Sequence, residues 1–241
     1  MKLFIPGPTQ VHPDILAEMA RPAIGHRTEE CARLWGAARA GLRRLMFTDH
    51  EVLMLTAPAS AMMEAAVRNL VAGSSLHVVN GAFSKRWRDI ALANGKDAHT
   101  LEVPLGHGVT AAELRAALEE REYDIVTVVH NETSTGTVTP IEPLAEVLKD
   151  FPRTLLCVDT VSSMAGAPVR VDDWRIDVCL FGMQKCLALP AGMSVSAVSA
   201  RAMARAAQVK DRGWLRDYLK LSKGNEKEQS RTTPSTAHLY A

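Results

Sequence analysis

Three observations on the sequence predict an α/β fold, a three-layer α/β/α domain built on a mostly parallel seven-stranded sheet. Seven strand-like runs occur, over residues 51–56, 76–80, 98–103, 124–130, 154–159, 177–181 and 194–199. Helical stretches separate most of them, and that alternation argues for parallel strands covered on both faces. The final link, residues 183–193, is short and carries Pro190 and Gly192, so the last strand is expected to run antiparallel to its neighbours.

The elements follow in order. Pro6-Gly7-Pro8-Thr9 cannot be regular structure, because proline fixes φ and removes a donor while glycine opens positive φ; it reads as an extended arm. Residues 13–20 form a short helix opened by Pro13. Residues 1–22 are thus an arm with a short helix, and 23–241 one large domain. Gly25-His26-Arg27-Thr28 breaks the chain before a long amphipathic helix over 29–47; His26-Arg27 there suits an anion, or equally an ordinary salt bridge. After the first strand, Ala57-Pro58-Ala59-Ser60-Ala61 is a small-residue turn into a helix over 62–71. A strand, a tight turn and free helical N–H groups make a phosphate site, although Ser60 serves as a plain N-cap on the same pattern. Further helices are expected over 84–93, 110–121 and 140–150. No repeat or low-complexity segment interrupts the series.

Composition sets the limits. The 241 residues are 47% hydrophobic and 23% charged, globular values that allow a substantial core. A net charge of +1 gives no electrostatic case for nucleic acid. Lysine and arginine do gather between Arg201 and Lys227 around Trp214 and Tyr218, but Asp211, Asp217, Glu226 and Glu228 interrupt them, which reads as a solvated or subunit-contacting helix. The cysteines, Cys31, Cys157, Cys179 and Cys186, form no C-x-x-C pair, and two lie inside apolar strands, as in reduced cytoplasmic proteins. No apolar run reaches the roughly 18 residues of a membrane span, and the start is too short for a signal peptide. No metal-ligand spacing is evident.

Chemistry concentrates at strand ends. Lys185 follows the strand that ends at Phe181, and Asp159 closes a neighbouring apolar strand, so both are expected at the carboxyl edge, where open α/β sheets bind ligands. Desolvation there lowers a lysine's pKa and makes its amine nucleophilic. An acid and a lysine so placed suit pyridoxal phosphate: the lysine forms the Schiff base and the aspartate pairs with the pyridinium nitrogen. The bland alternative is a surface lysine and a capping aspartate. Phe83, after Asn80-Gly81-Ala82, offers a stacking surface or a core side chain, and the segment 130–136 is dense in hydrogen-bonding groups.

The ordered set Pro6-Gly7-Pro8-Thr9, Gly25-His26-Arg27, Asn80-Gly81-Ala82-Phe83, Asn131-Glu132-Thr133-Ser134-Thr135-Gly136, Val158-Asp159-Thr160-Val161-Ser162-Ser163 and Gln184-Lys185 resembles the class V aminotransferases, alanine- or serine–glyoxylate (or pyruvate) enzymes in particular. The resemblance spans essentially the whole chain. It implies transamination between a small amino acid, alanine or serine, and a 2-oxo acid, glyoxylate or pyruvate. Lys185 is then the Schiff-base lysine and Asp159 the partner of the ring nitrogen; both are catalytic. Phe83 stacks on the ring, Thr133 bonds the ring hydroxyl, Val161 lies in the same motif, and Gln184 with the turn at Ala59, Ser60 and Ala61 holds the phosphate. Gly7 lines the substrate carboxylate pocket. Thr232-Thr233-Pro234 matches the segment that closes the partner subunit's phosphate site, which implies a homodimer with shared active sites.

Two departures stand out. The phosphate turn lacks the family's glycines, which shifts phosphate binding toward backbone N–H groups. The chain ends at Ala241, whereas the family continues into a small C-terminal domain carrying the arginine for the substrate carboxylate; that domain is expected to be absent here, and Arg27 is the first candidate to replace the arginine. A lyase or desulfurase of the same fold is the rival within enzymes, with Cys186 poorly placed to be its mobile cysteine. A non-catalytic remnant that binds the cofactor or only dimerises is the rival outside them.

Overall fold

The computed structural model describes residues 2–226, 230 and 232–241. Nine strands occur among them: β1 (Glu51–Leu55), β2 (Ser74–Val79), β3 (Asp97–Glu102), β4 (Ile125–Val129), β5 (Asn131–Glu132), β6 (Thr137–Val138), β7 (Leu155–Asp159), β8 (Val178–Gly182) and β9 (Ser194–Val198). Seven of them form the central sheet, in the order β1-β9-β8-β7-β4-β2-β3, and β5 and β6 form a separate hairpin. Within the central sheet only β9 pairs antiparallel, with β8 on one side and β1 on the other, as the short proline- and glycine-bearing link requires. β4, β7, β8 and β9 are buried at every residue, which is why they read as continuous apolar runs.

The amino-terminal arm leads into α1 (Pro13–Met19). Alternate strand residues then feed two cores. On one face Val52, Val126, Val128, Leu156, Val158 and Phe181 pack beneath α2 (Glu29–Met46), α5 (Ala111–Glu120) and α6 (Glu142–Leu148). On the other, Leu53, Ile125, Leu155, Cys157 and Leu180 pack beneath α3 (Ala59–Leu70), α4 (Ala82–Ala93), α7 (Ala200–Gln208) and α8 (Tyr218–Asn225). The last helix, α9 (Thr236–Tyr240), returns to meet α1. Among the described residues no helix is long and apolar enough to cross a membrane.

Beyond shifts of a residue or two at other element ends, four departures from expectation stand out. α3 starts at Ala59 rather than 62, with Pro58 as N-cap and no side-chain cap, so Ser60 lies inside the first turn and is not the cap. α4 starts at Ala82 rather than 84, which puts Phe83 on the helix. The hairpin of β5 and β6 has strands too short to register as periodicity. The basic stretch after Arg201, expected as one solvated or subunit-contacting helix, holds two helices. Arg201 and Arg205 pair with Asp177 and Asp124 and so bind α7 to the body of the domain, while Arg212 pairs with Asp217 at the start of α8. Lys227 and Glu228 of that stretch lie outside the described residues.

Candidate active site

The carboxyl ends of β4, β7 and β8 open into one cleft with a volume of about 120 Å³. Ala59 and Ser60 of α3, Phe83 and Arg86 of α4, Asn131 and Thr133 of the hairpin, Asp159, Val161 and Ser162 after β7, and Gln184 and Lys185 after β8 line it. Most of the residues singled out in the sequence therefore meet in one place. Ala61 is buried one residue further into α3.

Asp159 forms the floor. It is 3% exposed, and one carboxylate oxygen accepts the Val161 N–H at 2.7 Å. Burial pushes its pKa up to about 7; nearby Glu132 adds to the rise, while the Val161 N–H, Lys185 and Arg86 oppose it. A carboxyl so placed is a strong receptor for a cationic N–H brought into the cleft. Lys185 is half-buried, its Nζ 5.9 Å from the centroid of the Phe83 ring.

The amino-terminal arm fixes that lysine. The Thr9 N–H donates to the Gln184 carbonyl at 3.0 Å, and its hydroxyl donates to the Lys185 carbonyl at 2.8 Å. Gly7, at φ +151°, lies so close that a Cβ there would sit 2.8 Å from Lys185 Cε and closer still to Cδ. The arm thus touches the lysine itself, and Gly7, expected to line the substrate carboxylate pocket, lies against the lysine's side chain. Sequence reading misses this role of Thr9 because its partners are more than 170 residues away.

Two helices present their N-termini at this edge, and they differ. At α4, Glu132 accepts from the Phe83 and Ser84 N–H groups at 3.1 and 2.9 Å and from the Ser84 and Ser134 hydroxyls at 3.1 and 2.7 Å. Burial opposes ionisation of Glu132, but the donors from Ser134, Ser84 and Phe83 prevail and hold its carboxyl below the ordinary glutamate range. A Cβ at Gly81 would lie 2.5 Å from Glu132 Cδ, so glycine is needed for this approach. At α3 no side chain caps the helix. The Ala61 N–H returns to the Pro58 carbonyl at 2.9 Å, and the positive dipole end of a helix so started suits an anion.

Thr133 and Ser162 share a hydrogen bond between their hydroxyls across the cleft wall. Arg27 is not brought to the cleft: its Nη1 donates to the Ser230 carbonyl at 2.7 Å. Thr232 and Thr233 do not line it either. Cys186 is exposed, turned toward the Ser162 carbonyl at 3.6 Å.

These donors fit pyridoxal phosphate. An uncapped helix end suits the phosphate, a buried carboxyl suits the ring nitrogen, an aromatic face suits the ring, and a lysine amine stands beside them.

Comparison with known proteins agrees with that reading. The family described as aminotransferase class-V matches residues 9–241. An uncharacterized aminotransferase of Methanocaldococcus jannaschii is 38% identical over 99% of this chain and 63% of its own length. An L-aspartate–glyoxylate aminotransferase of Paracoccus denitrificans is 32% identical over 83% of this chain and 52% of its own. The crystal structure of an alanine–glyoxylate aminotransferase from Nostoc sp. superposes with a TM-score of 0.92 at 32% identity, over 98% of this chain and 64% of that one. The chain therefore spans less than two thirds of the length of these proteins.

Proposed function

Because this chain belongs to the class V aminotransferases, we propose that it carries the cofactor half of a pyridoxal-phosphate-dependent transaminase acting on a small amino acid and a 2-oxo acid. The observation that carries the proposal is the buried Asp159 carboxyl sharing one cleft with the Lys185 amine. Bound pyridoxal phosphate supplies an electron sink that makes the substrate's Cα–H acidic.

The chain's own residues do the rest. Lys185 holds the cofactor and is the group that takes the proton from the substrate's Cα and returns it. Asp159, ionised, keeps the ring nitrogen's proton in place. Phe83 packs against the ring, and Thr133, oriented by Ser162, offers its hydroxyl to the ring oxygen. The α3 N-terminus at Ala59, Ser60 and Ala61 takes the phosphate, with Gln184 on the opposite wall. Val161 contributes through its N–H, which orients the Asp159 carboxylate.

Alanine or serine is the donor and glyoxylate or pyruvate the acceptor; alanine and glyoxylate accord with the activity named for the Nostoc protein, and glyoxylate with that named for the Paracoccus denitrificans protein. A homodimer in which Thr232 and Thr233 reach the partner subunit's phosphate accords with their position away from this chain's own cleft. Four free cysteines accord with a cytoplasmic location. The orientation of Cys186 toward the Ser162 carbonyl supports transfer over sulfur chemistry.

Borohydride reduction of the chain with pyridoxal phosphate, followed by peptide mapping, tests the core of this reading. The phosphopyridoxyl mark is expected on Lys185 and absent in Lys185→Ala. A mark on another lysine, or none, sinks the assignment. With L-alanine and glyoxylate, pyruvate and glycine should then appear in equal amounts by NMR.

A further inference from the structure

Resting on that reading, we infer that Arg86 is the residue of this cleft that binds a carboxylate of the substrate. Arg86 lies on α4 three residues after Phe83, so the two share one face of the helix. Its guanidinium carbon stands 4.8 Å from the centroid of the Phe83 ring, and the side chain lines the cleft together with Lys185 and Asp159. Stacking occupies the flat face of a guanidinium and leaves the in-plane N–H fork free for a bidentate anion.

That fork is unused within the protein. Among the described residues no carboxylate or carbonyl is paired with Arg86, whereas both neighbouring cations are committed: Lys85 to Asp89 at 2.5 Å and Arg88 to Asp89 at 2.8 Å. The carboxyl group that feels its charge is Asp159 on the cleft floor, whose rise in pKa it opposes. Asp159 is engaged with Val161 and lies below, while Arg86 is exposed at the mouth. A cation beside the cleft's aromatic, lining the same cleft as the Lys185 amine and exposed to solvent, is placed to meet an anionic group of an incoming substrate.

Every amino acid and 2-oxo acid offers an α-carboxylate, and a dicarboxylic substrate offers a second. Binding of propionate and of succinate to the chain loaded with pyridoxal phosphate, measured by calorimetry for parent, Arg86→Gln and Arg86→Lys, separates them. Loss of a charge-assisted bidentate pair is expected to weaken binding by about ten- to a hundredfold in Arg86→Gln, with partial retention in Arg86→Lys. Loss for both acids assigns Arg86 to the α-carboxylate; loss for succinate alone assigns it to a side-chain carboxylate. Unchanged binding of both overturns the inference. So does weakened retention of pyridoxal phosphate with carboxylate binding intact, which would make Arg86 a phosphate ligand. The Lys185 mark in parent and variant keeps the outcomes apart: its absence from the parent refutes the proposed function, and its presence with unaltered carboxylate binding refutes only the role of Arg86.

Discussion

Replacing Asp159 by asparagine should change how the cofactor-free chain responds to pH. Burial raises the Asp159 pKa from 3.8 to about 7. The folded chain therefore binds more protons than the unfolded chain between those values. Stability from this group is fully present below the unfolded pKa and is lost as pH rises through 7, opposite to the usual carboxylate. The full shift corresponds to about 4 kcal/mol, and between pH values of about 5.5 and 8.5 the folded chain should lose about 2 kcal/mol through this group alone. An asparagine side chain cannot ionise, so the variant lacks that loss. Urea unfolding of parent and Asp159→Asn at both pH values gives the difference directly, and other titrating groups, including buried His77 with its pKa lowered to about 4 by desolvation, cancel in the subtraction. Saturating pyridoxal phosphate should remove most of the parent's loss, because a protonated ring nitrogen pairs with the ionised carboxylate. A parent–variant difference that stays flat with pH would refute the reasoning and return Asp159 to an ordinary ionised cap of the Val161 N–H.

Glu132→Gln leaves several N–H and hydroxyl donors at the start of α4 facing an amide, and should cost about 2 to 4 kcal/mol of unfolding free energy in urea; an unchanged midpoint would show that water replaces the carboxylate. Gly7→Ala puts a methyl group 2.8 Å from Lys185 Cε and closer still to Cδ, at a φ that L-residues avoid, so the lysine or the arm must move. Borohydride-trapped marking of Lys185 should slow on the order of tenfold, with little change in melting temperature; an unaltered marking rate would mean that the arm yields instead.

The sheet is legible in the sequence because its central strands are buried on both faces, so nearly every position of 125–129 or 155–159 has to be apolar or terminal. The reversed final strand follows from a link too short for a crossover helix. The start of α3 differs from the sequence expectation for a local reason. Ala-Pro-Ala-Ser looks like a turn closed by a serine cap, but Pro58 takes the cap position and its fixed φ lets the helix begin one residue later. The hairpin at 131–138 is hidden by its two-residue strands.

At the site, residues adjacent to strand ends are readable and residues acting across long separations are not. Glu132 shows the difference. Its sequence neighbours mark a polar loop, but its work is done 48 and 49 residues upstream, at the start of α4. Once that carboxylate closes α4, the two helix N-termini at the sheet edge are no longer equivalent. The negative charge at α4 satisfies its donors internally and repels a further anion, while α3, whose N-cap Pro58 offers no side-chain acceptor, carries no such charge at its start. The two helix starts thus differ: Glu132 closes the one that carries Phe83 and Arg86, and the other is the end proposed to take a phosphate. Arg86 itself has a signal that could have found it: the spacing of three from Phe83 on a helical stretch puts a cation over the aromatic. That spacing becomes informative only because α4 begins at Ala82, which brings Phe83 and Arg86 into the same helix.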